Sequence, residues 1–271
     1  METGVVAAQI NEKEQRKRGI PGSTLKLIAM ASMLIDHTAA CILYRVIMAD
    51  SANFDARGQA VMTPVVVIYF IMRGIGRLAF PIYIFLLLEG FEHTRSRWRY
   101  LGRLVIFAVI SEIPFDMALS FLNRDVQYIL SGHILEFSYQ NVFWTLAIGM
   151  LTIILIDKVG NLKIDSARCG LQLIIAALGM GLAYAMKTDY DAVGVLAIVA
   201  AYWLRKNRIV QMLGVCISLL LAGWLEAAAL IDILPVTYYN GRRGASLKWI
   251  FYAFYPVHLL ILFLICVCMG F

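Results

Sequence analysis

Four ionisable side chains lie inside long apolar stretches of the sequence, and their types suit proton transfer. Asp36 and His37 are adjacent in the middle of an apolar run, Glu112 lies in a later run, and His258 lies in the last one. Ionisable groups in such runs are rare, and they usually face a protein interior or a water-filled cavity and serve function. Imidazole and carboxyl groups are the usual general acids and bases of enzymes. We therefore predict that these four residues are functional, as catalytic groups or as a proton relay.

The depths of these groups in their runs are similar. At a rise of about 1.5 Å per residue, His37 lies roughly 18 Å and His258 roughly 15 Å from the start of its run. Glu112 lies roughly 13 Å into its own run, with Asp116 one turn further on the same helical face. Half of a bilayer core is about 15 Å thick, so all of these groups are expected near the membrane midplane. Equal depth permits their convergence, although packing between helices is the alternative for the Asp36–His37 pair.

The composition predicts the element that must position these groups, which is a membrane-embedded helix bundle. The chain has 271 residues, of which 61% are hydrophobic and only 15% charged, and its mean hydropathy is +0.76. Apolar runs recur along the whole chain and leave no room for a separate soluble domain. The net charge of +6 is typical of Lys and Arg gathered in cytoplasmic loops. The five cysteines are interpreted as small buried hydrophobes, without a disulfide or a metal site.

The apolar runs predict an all-α, polytopic transmembrane bundle of roughly 8–10 spans. Clear spans are predicted near 25–48, 74–92, 103–122, 141–157, 168–186, 191–204 and 246–269. The short run 61–72 is either a re-entrant or extracytoplasmic helix or the start of a long span that kinks at Pro81. The region 209–239 is either one tilted span or two short spans hinged near Gly223.

Positive charge is concentrated in every second connection, which indicates a cytosolic N-terminus. The basic positions are Lys13, Arg16, Lys17, Arg18, Arg95, Arg97, Arg99, Lys158, Lys163, Arg168, Arg205, Lys206 and Arg208. A further basic turn, Arg242 and Arg243, stays on the same side only if two spans separate Ile209 from Tyr239. That choice gives roughly nine spans and an extracytoplasmic C-terminus. We therefore divide the chain into a cytosolic basic tail, residues 1–24, and a single transmembrane domain, residues 25–271.

A phosphate-binding site is predicted where the second span leaves the membrane. Arg95, Arg99 and Arg103 recur every four residues, as on one face of a helix, and Glu89 and His93 are one turn apart beside them. The planar guanidinium group suits phosphate, so the three arginines would bind a phosphorylated cosubstrate or anionic lipid heads. They also serve as a topological anchor.

Polar residues predicted near the opposite side of the membrane form a candidate acceptor site. They are Arg77, Asn141, Asp189 and Asp191, and Asp116, one turn beyond Glu112, is added to this candidate site. For two of them a capping role is the alternative, because Asp189 and Asp191 precede a helix predicted to start near Ala192. Glu112 has an alternative role as well, in which it neutralises Arg77 or Arg103.

Several stretches in order along the chain resemble the TraX family, named for a conjugative-transfer protein that acetylates pilin. They are "LKLIAMASMLIDHTAA", "IGRLAFPIYIFLLLEGFEHTRSRWRYLGRLVIFAVISEIPFD", "NVFWTLAIGM", "DYDAVGV", "YNGRRG" and "FYAFYPVHLL", and they cover most of the chain from about Leu25 to about Leu260. The family is taken to comprise bacterial integral-membrane acetyltransferases. It looks similar to the wider group of transmembrane acyltransferases, which use cytosolic acetyl-CoA to modify an acceptor at the far side of the membrane.

The resemblance implies an acetyl-transfer role for the residues already singled out. His37 would be the general base, oriented by an acid on another helix, with Glu112 as the first candidate. Asp36 would pair with Arg77 or line the acceptor side. His258 would be a second base, bind the carbonyl oxygen, carry the acetyl group transiently, or merely bond a backbone carbonyl.

The resemblance also implies the ligands of the protein. The phosphates of acetyl-CoA would lie among Arg95, Arg99 and Arg103, together with Arg242 and Arg243. The acceptor would be a pilin N-terminus, an envelope glycan or a small molecule, and the expected surroundings are membrane lipids and a second copy of the chain, without nucleic acid. A proton-coupled transporter or flippase that uses the same midplane groups is the alternative.

Overall fold

The computed structural model describes residues 19–55, 57–120, 138–246 and 248–271. Most of the predicted basic tail, including Lys13, Arg16, Lys17 and Arg18, lies outside the described residues. Within these ranges the regular elements are helical, as predicted, and the only β-type pairings are isolated bridges such as Ile20–Tyr239.

The first two membrane segments form a long antiparallel pair. The outgoing segment comprises α1 (Gly22–Thr38), a π-helical stretch (Ala39–Leu43) and α2 (Tyr44–Ala49), and the returning segment comprises α3 (Pro64–Gly76) and α4 (Ala79–His93). The returning segment shows that the short run 61–72 is the start of a long kinked span. Pro81 lies in the first turn of α4, and its ring would clash with the carbonyl of Arg77, so the bend falls at Arg77 and Leu78.

The remaining segments follow the predicted order. They are α5 (Arg97–Phe115) with a π-helical stretch (Asp116–Ser120), α6 (Val142–Val159), α7 (Asp165–Ala185), α8 (Asp191–Trp203), α9 (Arg208–Leu219), α10 (Ile233–Thr237) and α11 (Lys248–Met269). Helices α9 and α10 are connected through two 3₁₀ stretches, Leu220–Ala222 and Trp224–Asp232.

The chain reverses direction at Gly223, so the region 209–239 is two short segments and not one tilted span. Gly223 has a φ of 156°, a conformation that residues with a side chain rarely adopt. The second segment returns along the first, and the Arg208 Nη1 donates a hydrogen bond of 2.8 Å to the Tyr239 carbonyl. Of the two alternatives predicted for this region, the one with a hinge near Gly223 is observed.

Five helical segments in the described part of the chain are long and apolar enough to cross a membrane, which supports a polytopic membrane protein. They are Gly22–Ala49, Pro64–His93, Val142–Val159, Asp165–Ala185 and Trp249–Met269. The apolar segments Asp191–Trp203 and Arg208–Ala222 are shorter. Helix α5 carries more charge, but Ile106, Val109, Ile110 and Ile113 are each about half exposed and form one apolar stripe. Such a stripe is typical of a face turned to lipid.

The basic clusters meet at one end of the bundle, which we call the basic end. Arg97 pairs with Asp157 at 2.5 Å, and Arg205 lies 3.5 Å from Glu92. The backbone of Arg242 accepts a hydrogen bond from the amide of Gly22 at the start of α1. The alternation of charge along the sequence therefore corresponds to one common end, and the assignment of that end to the cytosol stays a prediction.

Candidate functional site

The predicted catalytic residues are all buried, but they fall into separate groups of contacts. Asp36, His37, Glu112 and His258 are each less than a tenth exposed. His37 and His258 contact each other, whereas Asp36 and Glu112 each contact residues of other helices. The four residues therefore do not form one cluster, although their depths are similar. Three groups result, which we call the histidine pair, the charge cluster and the Glu112 group.

The histidine pair joins the first membrane segment to the last. The His37 Nδ1 lies 2.7 Å from the His258 Nε2, although the two residues are 221 positions apart. The ring planes are only 3° apart and the centroids are 5.0 Å apart. Because the nitrogens are so much closer than the centroids, the rings lie edge to edge, with the shared proton between them. The imidazoles are 8% and 4% exposed, so neither ring faces lipid.

The backbone fixes which nitrogen of each ring carries a proton. The His258 Nδ1 lies 2.7 Å from the Phe254 carbonyl, which accepts only, so this nitrogen is the donor. In the neutral ring the Nε2 of His258 is then an acceptor, and the His37 Nδ1 must donate to it. The His37 Nε2 is left with a lone pair, and no partner for it occurs among the described residues. In this arrangement the free lone pair of the histidine pair is on His37 Nε2, and the His37 Nδ1–H is held by His258.

Aromatic rings enclose the histidine pair. The Phe254 ring stacks on the His258 ring with centroids 4.5 Å apart. The Tyr255 ring packs edge-on against both histidines, 5.9 Å from His37 and 5.7 Å from His258 between centroids. On its other side Tyr255 contacts the ring of Phe143 at the start of α6. These contacts hold the imidazoles in one orientation and exclude bulk water from most of their surface.

The charge cluster is formed by two acids and two arginines. The Asp36 carboxylate accepts hydrogen bonds from Arg73 Nη1 at 2.7 Å and from Arg77 Nη2 at 2.9 Å. Arg77 Nη1 donates to the Glu226 Oε1 at 2.9 Å, and Glu226 lies just beyond the Gly223 hinge. The predicted pairing of Asp36 with Arg77 is confirmed. The two positive and two negative charges compensate each other, which is the condition for burying them.

A glycine permits this close approach of the first two segments. A Cβ atom at Gly76 would overlap the side chain of Asp36. Gly76 is the last residue of α3, directly before Arg77, so the same contact places the guanidinium beside the carboxylate. Any larger residue at position 76 would push α3 away from α1 and open the charge cluster.

The Glu112 group corrects the prediction that Glu112 orients His37. The Glu112 Oε2 accepts hydrogen bonds from Asn141 Nδ2 at 2.5 Å and from Trp144 Nε1 at 2.9 Å. The acceptor of the His37 proton is His258, so the orienting group is an imidazole and not a carboxylate. The alternative contacts of Glu112 with Arg77 or Arg103 are also absent from the ion pairs of the described residues.

The predicted acceptor residues other than Arg77 occupy three different places. Asn141 is fully buried and caps α6 with its side chain, because its Oδ1 accepts from the Phe143 amide at 3.0 Å. Asp116 is fully buried in the π-helical stretch that follows α5. Asp189 lies in the loop before α8, where its Oδ1 accepts a hydrogen bond of 2.8 Å from the Tyr139 hydroxyl. Burial raises the pKa of the Asp189 carboxyl above its ordinary value.

Asp191 is the first residue of α8, with a φ of 50°. Its Oδ1 lies 2.7 Å from the amide of the next residue, Ala192, and α8 has no side-chain cap, so the predicted capping alternative is not observed. The Tyr190 ring before it stacks on Phe80, with centroids 3.8 Å apart, and this contact holds the loop against α4. The loop therefore reaches the neighbourhood of the charge cluster.

The predicted arginine ladder is wrong in one respect. Helix α5 begins at Arg97, and Ser96 is its N-cap, whose Oγ accepts from the Arg99 amide at 3.3 Å. Arg95 precedes the cap, so it does not share a helical face with Arg99 and Arg103. The Arg103 guanidinium lies 5.5 Å from the Tyr100 ring centroid.

The other residues predicted to bind the cosubstrate also lie at the basic end. The Glu89 Oε2 accepts a hydrogen bond of 2.9 Å from the Tyr239 hydroxyl. His93 is exposed, and its Nδ1 lies 2.9 Å from the Glu89 carbonyl. The side chains of Arg242 and Arg243 are exposed in the turn before α11.

Two cavities open at the basic end. The larger, of about 440 Å³, is lined by Phe91, Glu92, Thr94, Arg95, Ser96, Arg97, Trp98, Ile154 and Lys158. The smaller, of about 180 Å³, is lined by Phe85, Leu88, Glu89, Glu92, Arg205, Lys206, Arg208 and Gln211. The larger cavity combines three basic side chains with the N-terminus of α5, and both features favour an anion.

Sequence reasoning missed three residues of the site. Arg73 and Glu226 complete the charge cluster, and Tyr255 packs against the histidine pair. Arg73 precedes Arg77 by one helical turn, and this spacing was a usable signal for a shared carboxylate. Glu226 gave a signal too, since it is an isolated acid in an apolar run.

These observations define a polytopic, all-α membrane protein with a buried histidine pair and a compensated charge cluster in the middle of its bundle. The chain matches the TraX protein family over residues 21–266, and it belongs to that family. It is 28% identical over 260 residues to a probable fimbrial assembly protein, FimC of serogroup H1, from Dichelobacter nodosus. That alignment covers 88% of this chain and 92% of the relative. No solved structure matches the chain.

Proposed function

We propose that this protein is an acetyltransferase of the bacterial inner membrane. It moves an acetyl group from cytosolic acetyl-CoA to an amine or a hydroxyl group of an acceptor at or across the membrane. The observation that carries the proposal is the histidine pair, in which the tautomers leave the His37 Nε2 lone pair unused. Membership of the TraX family supports the same reaction class.

In this reaction His37 Nε2 takes the proton of the acceptor amine or hydroxyl as that group attacks the thioester carbonyl. The carbon–sulfur bond breaks, and the thiolate of CoA is the leaving group. The positive charge that forms on His37 is stabilised through its Nδ1–H by His258, whose own Nδ1–H remains bonded to the Phe254 carbonyl. General-base assistance of this kind contributes about 10²- to 10⁴-fold to a rate.

The basic end is the proposed entry of the cosubstrate. Arg95 and Lys158 line the larger cavity and would neutralise the phosphates of acetyl-CoA. Arg103 lies deeper along α5, and the Nε of its guanidinium is buried without a partner among the described residues. Placement of this end in the cytosol accords with the excess of Lys and Arg there.

The acceptor would approach from the opposite end of the bundle. Arg77 and Asn141 are engaged with partners inside the protein, and they would shape the acceptor site by holding the helices around it. Asp189 and Asp191 lie on the loop that closes this end, and an amine acceptor would suit their carboxyl groups. The name of the Dichelobacter relative makes a pilus subunit the first acceptor to test, followed by an envelope glycan and a small molecule.

The experiment that tests the proposal follows an isotope-labelled acetyl group from acetyl-CoA. Inside-out membrane vesicles from cells with and without the protein receive the labelled cosubstrate, and the label is followed into proteins, glycans and small molecules by mass spectrometry. We expect labelling that requires the protein and is abolished by His37→Gln. Equal labelling in both vesicle preparations would contradict the proposal. Proton uptake by the protein without any effect of CoA would instead favour the transporter.

Binding is tested separately by thermal unfolding of the purified protein. Acetyl-CoA should raise the unfolding temperature, because a ligand that binds only the folded state stabilises it. Arg95→Gln should weaken this shift, while Arg57→Gln, an exposed arginine at the opposite end, should leave it unchanged. An unfolding temperature insensitive to acetyl-CoA would contradict the proposed cosubstrate.

A further inference from the structure

Two cysteines on the helical segments that carry the histidine pair are in direct contact. The Cys41 Sγ lies 3.5 Å from the Cys266 Sγ, and both side chains are fully buried. Cys41 is in the π-helical stretch that directly follows α1, one turn beyond His37, and Cys266 is two turns beyond His258 on α11. This pairing could not be expected from the sequence, since the cysteines lie 225 positions apart.

A buried arginine lies against both sulfurs. Arg45 Nη1 is 3.2 Å from the Cys41 Sγ, 3.8 Å from the Cys266 Sγ and 2.9 Å from the Cys41 carbonyl. The side chain is only 6% exposed, and Arg45 takes part in no ion pair of the described residues. Its Nη2 is buried without a partner in the same part of the chain. A buried cation without a carboxylate partner is stabilised by a nearby negative charge. A thiolate of Cys41 or Cys266 would supply that charge.

We propose that Cys41 and Cys266 form a redox-active dithiol that is oxidised to a disulfide. One of the two sulfurs is the attacking thiolate, because the Arg45 guanidinium contacts both and positive charge favours that form. It adds to a membrane-soluble two-electron oxidant of the quinone or azo class. The second sulfur then attacks the first, the bond to the oxidant breaks, and the two thiol protons end on the reduced oxidant. The sulfurs must close from 3.5 Å to about 2 Å, the length of a disulfide bond.

The disulfide would connect the two membrane segments that present His37 and His258. Cross-linking the π-helical stretch to α11 fixes the spacing of those segments, which determines whether the two imidazoles can share a proton. Oxidation is therefore expected to change the rate of acetyl transfer, and this consequence rests on the proposed function. The disulfide itself does not.

The test counts free thiols in membranes that contain the full chain. Replacing the exposed Cys169 and Cys268 by serine leaves Cys41, Cys216 and Cys266, all of them buried. Membranes are treated with dithiothreitol or with diamide, an azo oxidant, denatured, and labelled with a maleimide polymer that shifts the gel band once per thiol. We expect all of the thiols to be labelled after dithiothreitol and only Cys216 after diamide.

Two further variants make the result specific. Cys41→Ser should keep both of its remaining thiols after diamide. The matched control Cys216→Ser should lose both, because it retains the pair. If Cys41→Ser fails to fold, mass spectrometry of the unreduced parent must still show a cross-linked peptide pair containing Cys41 and Cys266. Persistence of all three thiols in the parent after diamide would overturn the proposal.

The role of Arg45 is measured as the rate of oxidation. Arg45→Leu should slow disulfide formation by diamide about tenfold, while Arg45→Lys, which keeps the charge, should slow it less. Arg57→Leu is the control and should leave the rate unchanged. Equal rates in the parent and in Arg45→Leu would remove the arginine from the reaction. The disulfide would be connected to the activity if acetyl transfer by the parent falls on oxidation and recovers with dithiothreitol. The rate of Cys41→Ser should then be insensitive to both treatments.

Discussion

Two neighbouring residues, Asp36 and His37, belong to different parts of the protein. Successive side chains on a helix point about 100° apart, so Asp36 faces the arginines of the second segment and His37 faces the last helix. The Asp36 carboxylate is fully engaged by Arg73 and Arg77, whereas His37 keeps one ring nitrogen unused. Burial alone therefore does not distinguish the two groups. Of the two, His37 is the one whose neighbours satisfy it only in part, and it is the base of the proposed reaction.

The largest expected effect is on catalysis, and it comes from the histidine side. His37→Gln keeps a polar side chain of similar size but removes the base, so acetyl transfer should fall by about 10²- to 10⁴-fold. The unfolding temperature should change little. Thr38→Val, which changes the next residue of α1, is the matched control and should retain the parental rate. A parental rate in His37→Gln would exclude His37 from the chemistry.

The largest effect on stability should come from the Asp36 side. Arg77→Met removes the cation shared by Asp36 and Glu226, and breaking a buried pair in this way costs about 3–5 kcal/mol. Thermal unfolding in detergent measures the loss. The double variant Arg77→Met with Glu226→Gln should recover part of it, because one uncompensated charge is removed.

The two arginines sharpen this prediction further. Arg73 is more exposed than Arg77, and its only ion-pair partner among the described residues is Asp36, so Arg73→Met should destabilise the protein less than Arg77→Met. Equal losses for the two variants would show that the shared contact with Glu226 contributes nothing. A fully stable Arg77→Met would contradict the structural role of the charge cluster.

A smaller effect is expected at Glu112. A variant of this residue distinguishes the role predicted from the sequence, orienting His37, from the observed contacts with Asn141 and Trp144. Glu112→Gln retains a group able to bond Asn141 and Trp144, and it should cost about 1–3 kcal/mol of stability, the usual cost of disturbing a buried hydrogen bond. The rate of acetyl transfer should fall by less than about tenfold. A loss as large as that of His37→Gln would place Glu112 in the catalytic machinery.

The smallest effect should appear at the basic end. Arg95→Gln removes one of several positive charges around the larger cavity, so the KM for acetyl-CoA should rise by about tenfold or less, with kcat nearly unchanged. Steady-state kinetics in vesicles measure both constants, and Arg57→Gln serves as the control. A fall of kcat with an unchanged KM would contradict a role of Arg95 in binding.

The sequence predicted the elements of this fold better than the contacts between them. The apolar runs and the charge alternation predicted the order of the segments, the reversal at Gly223 and the common basic end, because each is a property of composition along one segment. That His37 and His258 lie at a similar level along their helices was predictable for the same reason. Their bond was not, because the rotation of one helix against another depends on packing across the whole bundle.

The errors have a similar cause. Spacing of four residues predicted a helical ladder from Arg95, but Ser96 caps the helix and starts it two residues later. The charge type of Glu112 suggested a partnership with His37, yet an amide and an indole on α6 are its neighbours. Both outcomes depend on local competition for hydrogen bonds, which residue type and depth do not determine.

The central claim is that His37 and His258 act as one proton-accepting unit, and a double-mutant cycle on acetyl transfer tests it most directly. Residues that act as a unit show strongly non-additive effects on kcat. We predict that His37→Gln, His258→Gln and the double variant all transfer acetyl groups at nearly the same low rate. Losses that multiply in the double variant would show two independent roles and would contradict the claim.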